Sequence, residues 1–179
     1  MIPSNFEKLY SAEEIKKMVT RMAEQISAAY PANEEIICVG VLKGAWIFHS
    51  DLVRALNRPI RIDFIRASSY GGGTKTSGVV RILKDIEVDI RDKHVLLVEE
   101  IVDSGRTLSF IKQRLQSSAP KSVKIAALFD KKERREVECV PDFVGKEVEN
   151  HFIVGYGLDW DEQYRNLDAV YKVVGEKLH

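Results

Sequence analysis

The chain has 179 residues, 45% of them hydrophobic and 30% charged, and its 27 Lys and Arg residues balance 27 Asp and Glu residues. A chain of this kind is one ordinary globular domain, long enough to bury roughly 70% of its unfolded surface without a structural metal or a disulfide staple. Its neutrality excludes a general binder of nucleic acid or anionic membrane held by a global field, but not a site for a small anion.

Ser11 and Glu14 form a capping-box pair, and Ile15, Met18, Val19, Met22 and Ile26 then recur on one helical face until the Tyr30-Pro31 break. The run IICVGVL at 36–42 is too continuously apolar for a one-sided strand and predicts one covered on both faces. A helical stretch follows Lys43-Gly44 and stops at Asn57-Arg58-Pro59, and alternating residues from Ile60 to Ile65 predict a second strand. Residues 68–78, SSYGGGTKTSG, lack periodicity and predict a long mobile loop. Strands are predicted at 79–83, 95–98 and 123–129, with a helix between the last two that turns Leu108, Ile111 and Leu115 inward. From Asp142 onward come short β-like pieces (DFVGKEV, FIVGYGL, AVYKVV). Strands alternating with helices imply an α/β fold with a parallel sheet, and the β-rich last third indicates a small hood beside its C-terminal edge.

Cys38 and Cys139 lie far apart among apolar residues and read as buried small hydrophobes. The N-terminus carries no basic-then-apolar leader and no run approaches the roughly 18 apolar residues of a membrane span, so the expected compartment is the cytoplasm.

Chemistry concentrates in VLLVEEIVDSGRTL at 95–108, where a buried strand ends in Glu99 and Glu100 and a loop supplies Asp103, Ser104, Gly105, Arg106 and Thr107 as a helix begins. Free N–H groups and the helix dipole favour an anion at such a junction, with two hydroxyls as further donors and a glycine permitting close backbone approach. Neither GxxxxGK[ST] nor GxGxxG occurs. The adjacent carboxylates suit vicinal hydroxyls and a divalent cation rather than a bare triphosphate, so the pattern fits a ribose 5-phosphate. The alternative reading of the segment taken alone is a helix N-cap with exposed acids on a loop.

This segment resembles the phosphoribosyl-diphosphate signature of type I phosphoribosyltransferases. From about residue 36 to 174 the chain is similar to the hypoxanthine (6-oxopurine) branch of that family, through GVLKGA (40–45), SSYGGGT (68–74), LFDKKERR (128–135) and FIVGYGLDWDEQYRNL (152–167). The resemblance implies a single domain over 1–179, with a core at about 36–140, helices on both faces of a parallel sheet, and a hood formed by the C-terminal third with a contribution from the N-terminus. It implies a 5′-phosphate site at Asp103, Ser104, Gly105, Arg106 and Thr107. It implies pyrophosphate contacts at Leu42, Lys43, Gly44 and Arg165, with an unusual cis peptide at Leu42-Lys43. Ser69 and Tyr70 map to a catalytic flap. Lys131, Phe152, Ile153 and Asp159 map to the purine side, Lys131 donating to a 6-oxo group and Phe152 stacking on the ring. Glu99 and Glu100 would serve the ribose and, with Asp159, Mg2+, while Asp103 is the implied general base at purine N7. Expected partners are phosphoribosyl diphosphate and a 6-oxopurine base, with no nucleic acid and no membrane, in a homodimer or homotetramer.

The chain departs from the family pattern in three places. Glu100 stands where Asp is usual, Ser104 where Thr is common and Trp160 where Tyr is more frequent. Other readings left open are a xanthine-preferring or pyrimidine enzyme and, from a different class, a nucleotide-sensing RNA- or DNA-binding regulator on the same fold.

Overall fold

The computed structural model describes residues 2–70 and 79–175, with Ser69, Tyr70 and Val79 described in their backbone only. Among the described residues the α-helices and strands are, in chain order, β1 (Phe6–Tyr10), α1 (Ala12–Ala28), β2 (Ile36–Leu42), α2 (Trp46–Ala55), β3 (Ile60–Tyr70), β4 (Val79–Lys84), β5 (His94–Val102), α3 (Arg106–Gln116), β6 (Ser122–Asp130), β7 (Phe143–Glu147), β8 (Ile153–Val154) and β9 (Val170–Val173), with a single 3-10 turn at Lys132–Arg134 between β6 and β7. The main sheet has the order β4-β3-β2-β5-β6-β7, parallel except for β4.

Period-two alternation sends each central strand's side chains into two cores. Ile36, Cys38, Leu96, Val98, Ala126 and Leu128 face α1 and α2, packing on Ile15, Val19, Met22, Ile26, Phe48 and Leu52. Ile37, Val39, Val41, Val95, Leu97, Ile125 and Ala127 face the other way, onto Leu108, Ile111 and Leu115 of α3. That double burial is why the strands read as unbroken apolar runs. The capping box closes α1, with Ser11 N–H donating to Glu14 Oε2 at 2.8 Å and Glu14 N–H to Ser11 Oγ at 3.3 Å. Both cysteines are free and buried, and burial pushes the Cys38 thiol up to about 12. Among the described residues, no helix is long and apolar enough to cross a membrane.

Two expectations change. Residues 68–70 do not begin a loop: they extend β3 and pair antiparallel with β4, Ser69 opposite Val80 and Tyr70 opposite Val79, so sheet hydrogen bonds order a polar stretch that has no hydrophobic pattern of its own. Residues 71–78 lie outside the described residues. The β-rich last third divides, because β7 joins the main sheet parallel to β6 and carries that sheet to Glu147. Only β8 and β9 form a second sheet, and they do so with β1, an N-terminal strand that the local sequence did not announce. Phe6 of β1 seats edge-on against Tyr164, 5.0 Å between ring centres, and stacks near Trp160.

Candidate active site

A cleft of about 310 Å³ opens at the C-terminal ends of β2 and β5. Leu42, Lys43 and Gly44 reach it from the turn after β2, Glu99 and Glu100 from β5, Asp103, Ser104, Gly105 and Thr107 from the turn into α3, and Asp159 and Arg165 from the loop after β8. A larger cavity of about 520 Å³, mostly apolar, lies between α1, α2 and the segment around Leu167; it contains none of the residues expected to carry chemistry. The chemistry therefore assigns the site to the smaller, polar cleft.

The anion cradle is built from backbone. Gly105 has φ 81°, a left-handed conformation, and a Cβ there would stand 2.9 Å from Cys139 Cβ and 3.0 Å from Arg135 Cδ, so both strain and space demand glycine. The N-cap residue Gly105 has no side chain to cap α3, and the one side-chain contact to its first turn among the described residues is long, Arg106 N–H to Ser104 Oγ at 3.4 Å, so these N–H groups can turn to an incoming anion. The turn is held from behind. Arg135 Nε donates to the Asp103 carbonyl at 3.2 Å while its guanidinium pairs with the buried Asp130 carboxylate, and the N–H groups of Glu136 and Val137 both donate to the Ser104 carbonyl. The side chain of Arg106 takes no part in the cleft; its Nε donates to Glu136 Oε2 at 2.5 Å on the surface. Asp103 Oδ1 lies 3.0 Å from Arg134 Nε.

Glu99 and Glu100 are on the strand itself, which runs two residues past them to Val102. Burial, then repulsion from Glu100, pushes the Glu99 carboxyl well above the ordinary carboxylate range, and burial raises Glu100 as well. Glu100 Oε2 is buried with no hydrogen-bond partner. A Cβ on Gly44 would meet Glu100 Oε1 at 1.7 Å, so the longer acid at this position lays its carboxyl against the turn after β2. An unpartnered buried carboxylate oxygen fits a divalent cation or a ribose hydroxyl. Among the described residues no three His, Cys, Asp or Glu form a ready metal cluster. That fits Mg2+, which takes one or two carboxylates and completes its shell with water and substrate phosphate.

The opposite wall joins two distant segments. The Leu42-Lys43 peptide is cis. Tyr156 and Gly157, with φ 52° and 101°, are the central pair of a two-residue turn in which Gly155 and Leu158 exchange backbone hydrogen bonds of 3.0 and 3.1 Å. Gly157 packs so closely that a Cβ would stand 2.0 Å from the Gly44 carbonyl oxygen. Arg165 Nη1 donates to the Gly157 carbonyl at 2.8 Å, and Nη2 pairs with Asp159 at 3.0 Å.

The base-side residues are less gathered. Asp159 lines the cleft, whereas Lys131, Phe152 and Ile153 do not. Lys131 is buried at the end of β6, its N–H donating to the Val102 carbonyl at 2.9 Å, and burial holds its amine below the ordinary lysine value. Phe152 lies edge-on to Trp160, 6.0 Å between ring centres, and Ile153 is a core residue. Ser69 and Tyr70 are placed at the β3–β4 edge in backbone only.

A family model for the phosphoribosyl transferase domain matches residues 5–161. The chain belongs to the phosphoribosyl transferase family. Within that family it is 48% identical over 165 residues to a hypoxanthine-guanine phosphoribosyltransferase of Aquifex aeolicus, covering 92% of this chain and 93% of that protein. It is 45% identical to a hypoxanthine phosphoribosyltransferase of Salmonella typhimurium, covering 90% of this chain and 91% of that protein. A crystal structure of a hypoxanthine-guanine phosphoribosyltransferase from Bacillus anthracis superposes with a TM-score of 0.89 at 45% identity, covering 94% of this chain and 98% of that one.

Several residues that build this phosphoribosyl transferase site were not singled out by sequence. Asp130, Arg134, Arg135 and Glu136 sit in a charged run that looks solvated, and only the fold turns it onto the cradle. Gly157 carried a signal in its Gly-Tyr-Gly context, but its partner, Gly44, is remote in sequence.

Proposed function

We propose that this phosphoribosyl transferase is a purine-salvage enzyme that transfers the 5-phosphoribosyl group of phosphoribosyl diphosphate to hypoxanthine, guanine or both, giving IMP or GMP and pyrophosphate. One observation carries the reading: a helix N-terminus that opens on a glycine, two half-buried carboxyls and the Lys43 and Arg165 cations share one cleft. Such a donor carries three groups of matching chemistry: a 5′-phosphate, a diol and a diphosphate. The relatives are named for hypoxanthine and guanine. They lend nothing to a xanthine preference or to an RNA- or DNA-binding regulator.

In this reading a purine ring nitrogen bonds to C1 of the ribose as the C1–O bond to diphosphate breaks. The α3 N–H groups, with Ser104, Gly105 and Thr107, hold the 5′-phosphate, and Arg106 contributes through its backbone. Glu99 and Glu100 accept from the ribose hydroxyls. Leu42, Lys43, Gly44 and Arg165 hold the diphosphate. Asp103 takes the proton at purine N7 on Oδ2, since Oδ1 faces Arg134; a base in this role contributes about 10² to 10⁴ in rate. Lys131 donates to the 6-oxo group, which a 6-amino purine could not accept, and Phe152 and Ile153 border the ring. Ser69 and Tyr70 belong to a flap that keeps water from the reacting carbon. Mg2+ would be held by one or two of the carboxylates among Glu99, Glu100 and Asp159, with water and donor oxygens completing its shell, and would supply charge neutralisation for the departing diphosphate. The reading takes the protein to be one domain with a hood, a homodimer or homotetramer, in the cytoplasm.

A Mg2+-dependent assay with phosphoribosyl diphosphate and hypoxanthine, guanine, xanthine, adenine or uracil tests the assignment. Turnover of the first two is expected. Use of uracil alone, or tight RNA binding with no turnover of any base, overturns it.

A further inference from the structure

Glu162 does not line the cleft but lies against Lys43 and Arg165, which do, and has no role in the mechanism above. With Asp161 it forms the tip of a two-residue turn whose flanking residues, Trp160 and Gln163, exchange backbone hydrogen bonds of 3.2 and 3.0 Å. Both tip residues have positive φ, 52° and 63°, and neither is glycine. Such backbone is disfavoured for ordinary side chains, so the surrounding structure imposes it. The Glu162 N–H donates to Asp159 Oδ2 at 2.9 Å, which ties the turn to the cleft wall. The result is that one oxygen, Glu162 Oε2, lies 2.8 Å from Lys43 Nζ and 3.3 Å from Arg165 Nη2. The two cations come from distant segments that meet on one wall of the cleft, one from the turn after β2 and one from the loop after β8.

A single anionic oxygen bridging those two cations is the contact a diphosphate oxygen would make there. We propose that Glu162 is an internal occupant of the diphosphate subsite, which neutralises Lys43 and Arg165 in the empty enzyme and is displaced when a diphosphate arrives. This rests on the reading of Lys43 and Arg165 as diphosphate contacts.

The consequence is selectivity among anions. A tethered carboxylate competes at high effective concentration, so a free anion that meets only this subsite binds weakly. A phosphoribosyl donor is also anchored at the α3 cradle and has a second foothold from which to displace it. The same carboxylate re-forms its pairs as pyrophosphate leaves. Glu162 is largely exposed, with 62% of its side chain accessible, so displacement costs little and the two ion pairs are individually weak.

Calorimetric titration of the Mg2+-loaded protein with sodium pyrophosphate and with IMP tests this. Glu162→Gln keeps the size of the side chain and removes its charge, and is expected to bind pyrophosphate about three- to tenfold more tightly, the range for losing two exposed competing pairs. IMP, which engages the cradle but carries no diphosphate, should bind as in the wild type. Lys43→Met should weaken pyrophosphate binding, and in that background the gain from Glu162→Gln should shrink, since one of the two cations it competes for is gone. Glu162→Ala should act in the same direction as Glu162→Gln. Unchanged or weaker pyrophosphate binding in both Glu162 variants, with Lys43→Met still harmful, overturns the proposal and leaves the subsite reading intact. Pyrophosphate binding indifferent to both Lys43→Met and Arg165→Gln would instead remove the reading on which it rests.

Discussion

Replacing Gly157 by alanine should part the two segments that make up the diphosphate wall of the cleft. The residue has φ 101°, and the new Cβ would lie 2.0 Å from the Gly44 carbonyl oxygen. That oxygen belongs to backbone and cannot rotate aside, and side-chain carbons do not approach closer than 3.0 Å, so the turn after β2 and the 155–158 turn have to part by at least about 1 Å. Left-handed backbone costs an alanine about 1–2 kcal/mol, and at this chain length each kcal/mol lowers Tm by roughly 2–4 °C, so strain alone should lower Tm by about 2–8 °C and the clash should lower it further. A displacement of 1 Å in a positioned site costs on the order of 10² in rate, which is the loss expected in kcat/KM for phosphoribosyl diphosphate. Gly175→Ala is the control: its φ is 88° but a Cβ there meets nothing within 4 Å among the described residues, so it should lose only strain and keep its activity. Steady-state kinetics and thermal denaturation of both variants decide. If Gly157→Ala retains kcat/KM within twofold while Gly175→Ala behaves as expected, the docking of these turns does not position the diphosphate site.

Other consequences can be checked separately. Asp103→Asn should lower kcat by about 10² or more with little change in the Kd of phosphoribosyl diphosphate, and unchanged turnover removes Asp103 from the base role. Asp130→Asn strands the Arg135 guanidinium and should cost about 3 kcal/mol in urea unfolding; a loss under about 1 kcal/mol would show that the pair does not brace the cradle. Lys131 has its folded pKa held below 10.5 by burial, so the unfolded chain binds the extra proton and stability should rise with pH between the folded value and 10.5. Lys131→Met should flatten that rise, stabilise the protein at neutral pH and lose its preference for 6-oxopurines, and an unaltered stability profile would contradict the burial argument. Ser11→Ala, which removes the α1 cap, should cost about 1 kcal/mol and leave kinetics untouched.

The sequence by itself determined the parts whose physics is local. Apolar runs at 36–42 and 95–98 could only be strands covered on both faces, the capping box fixed the start of α1, and a glycine between Ser104 and Arg106 at a strand-to-helix junction marked an anion cradle. These signals lie within one element or one turn, where periodicity and backbone chemistry act over a few residues. Resemblance in the later motifs then carried the substrate class, which no single residue could have done, because Lys131 in a charged run and Phe152 in an apolar one look like surface and core.

Only the tertiary structure decided what depends on remote pairing. It set β1 against β9, added β7 to the main sheet, and drew residues 68–70 into β3, in each case because a strand's backbone hydrogen bonds are satisfied by a partner that local sequence does not name. It turned Arg135 and Asp130 from apparent solvated charges into the brace of the phosphate turn, laid the longer Glu100 against Gly44, and set Glu162 between Lys43 and Arg165. The balanced charge of the whole chain gave no sign of these contacts. Electrostatic pairing falls off within a few ångströms, so the arrangement of the charges is fixed by the fold that brings distant residues to that range.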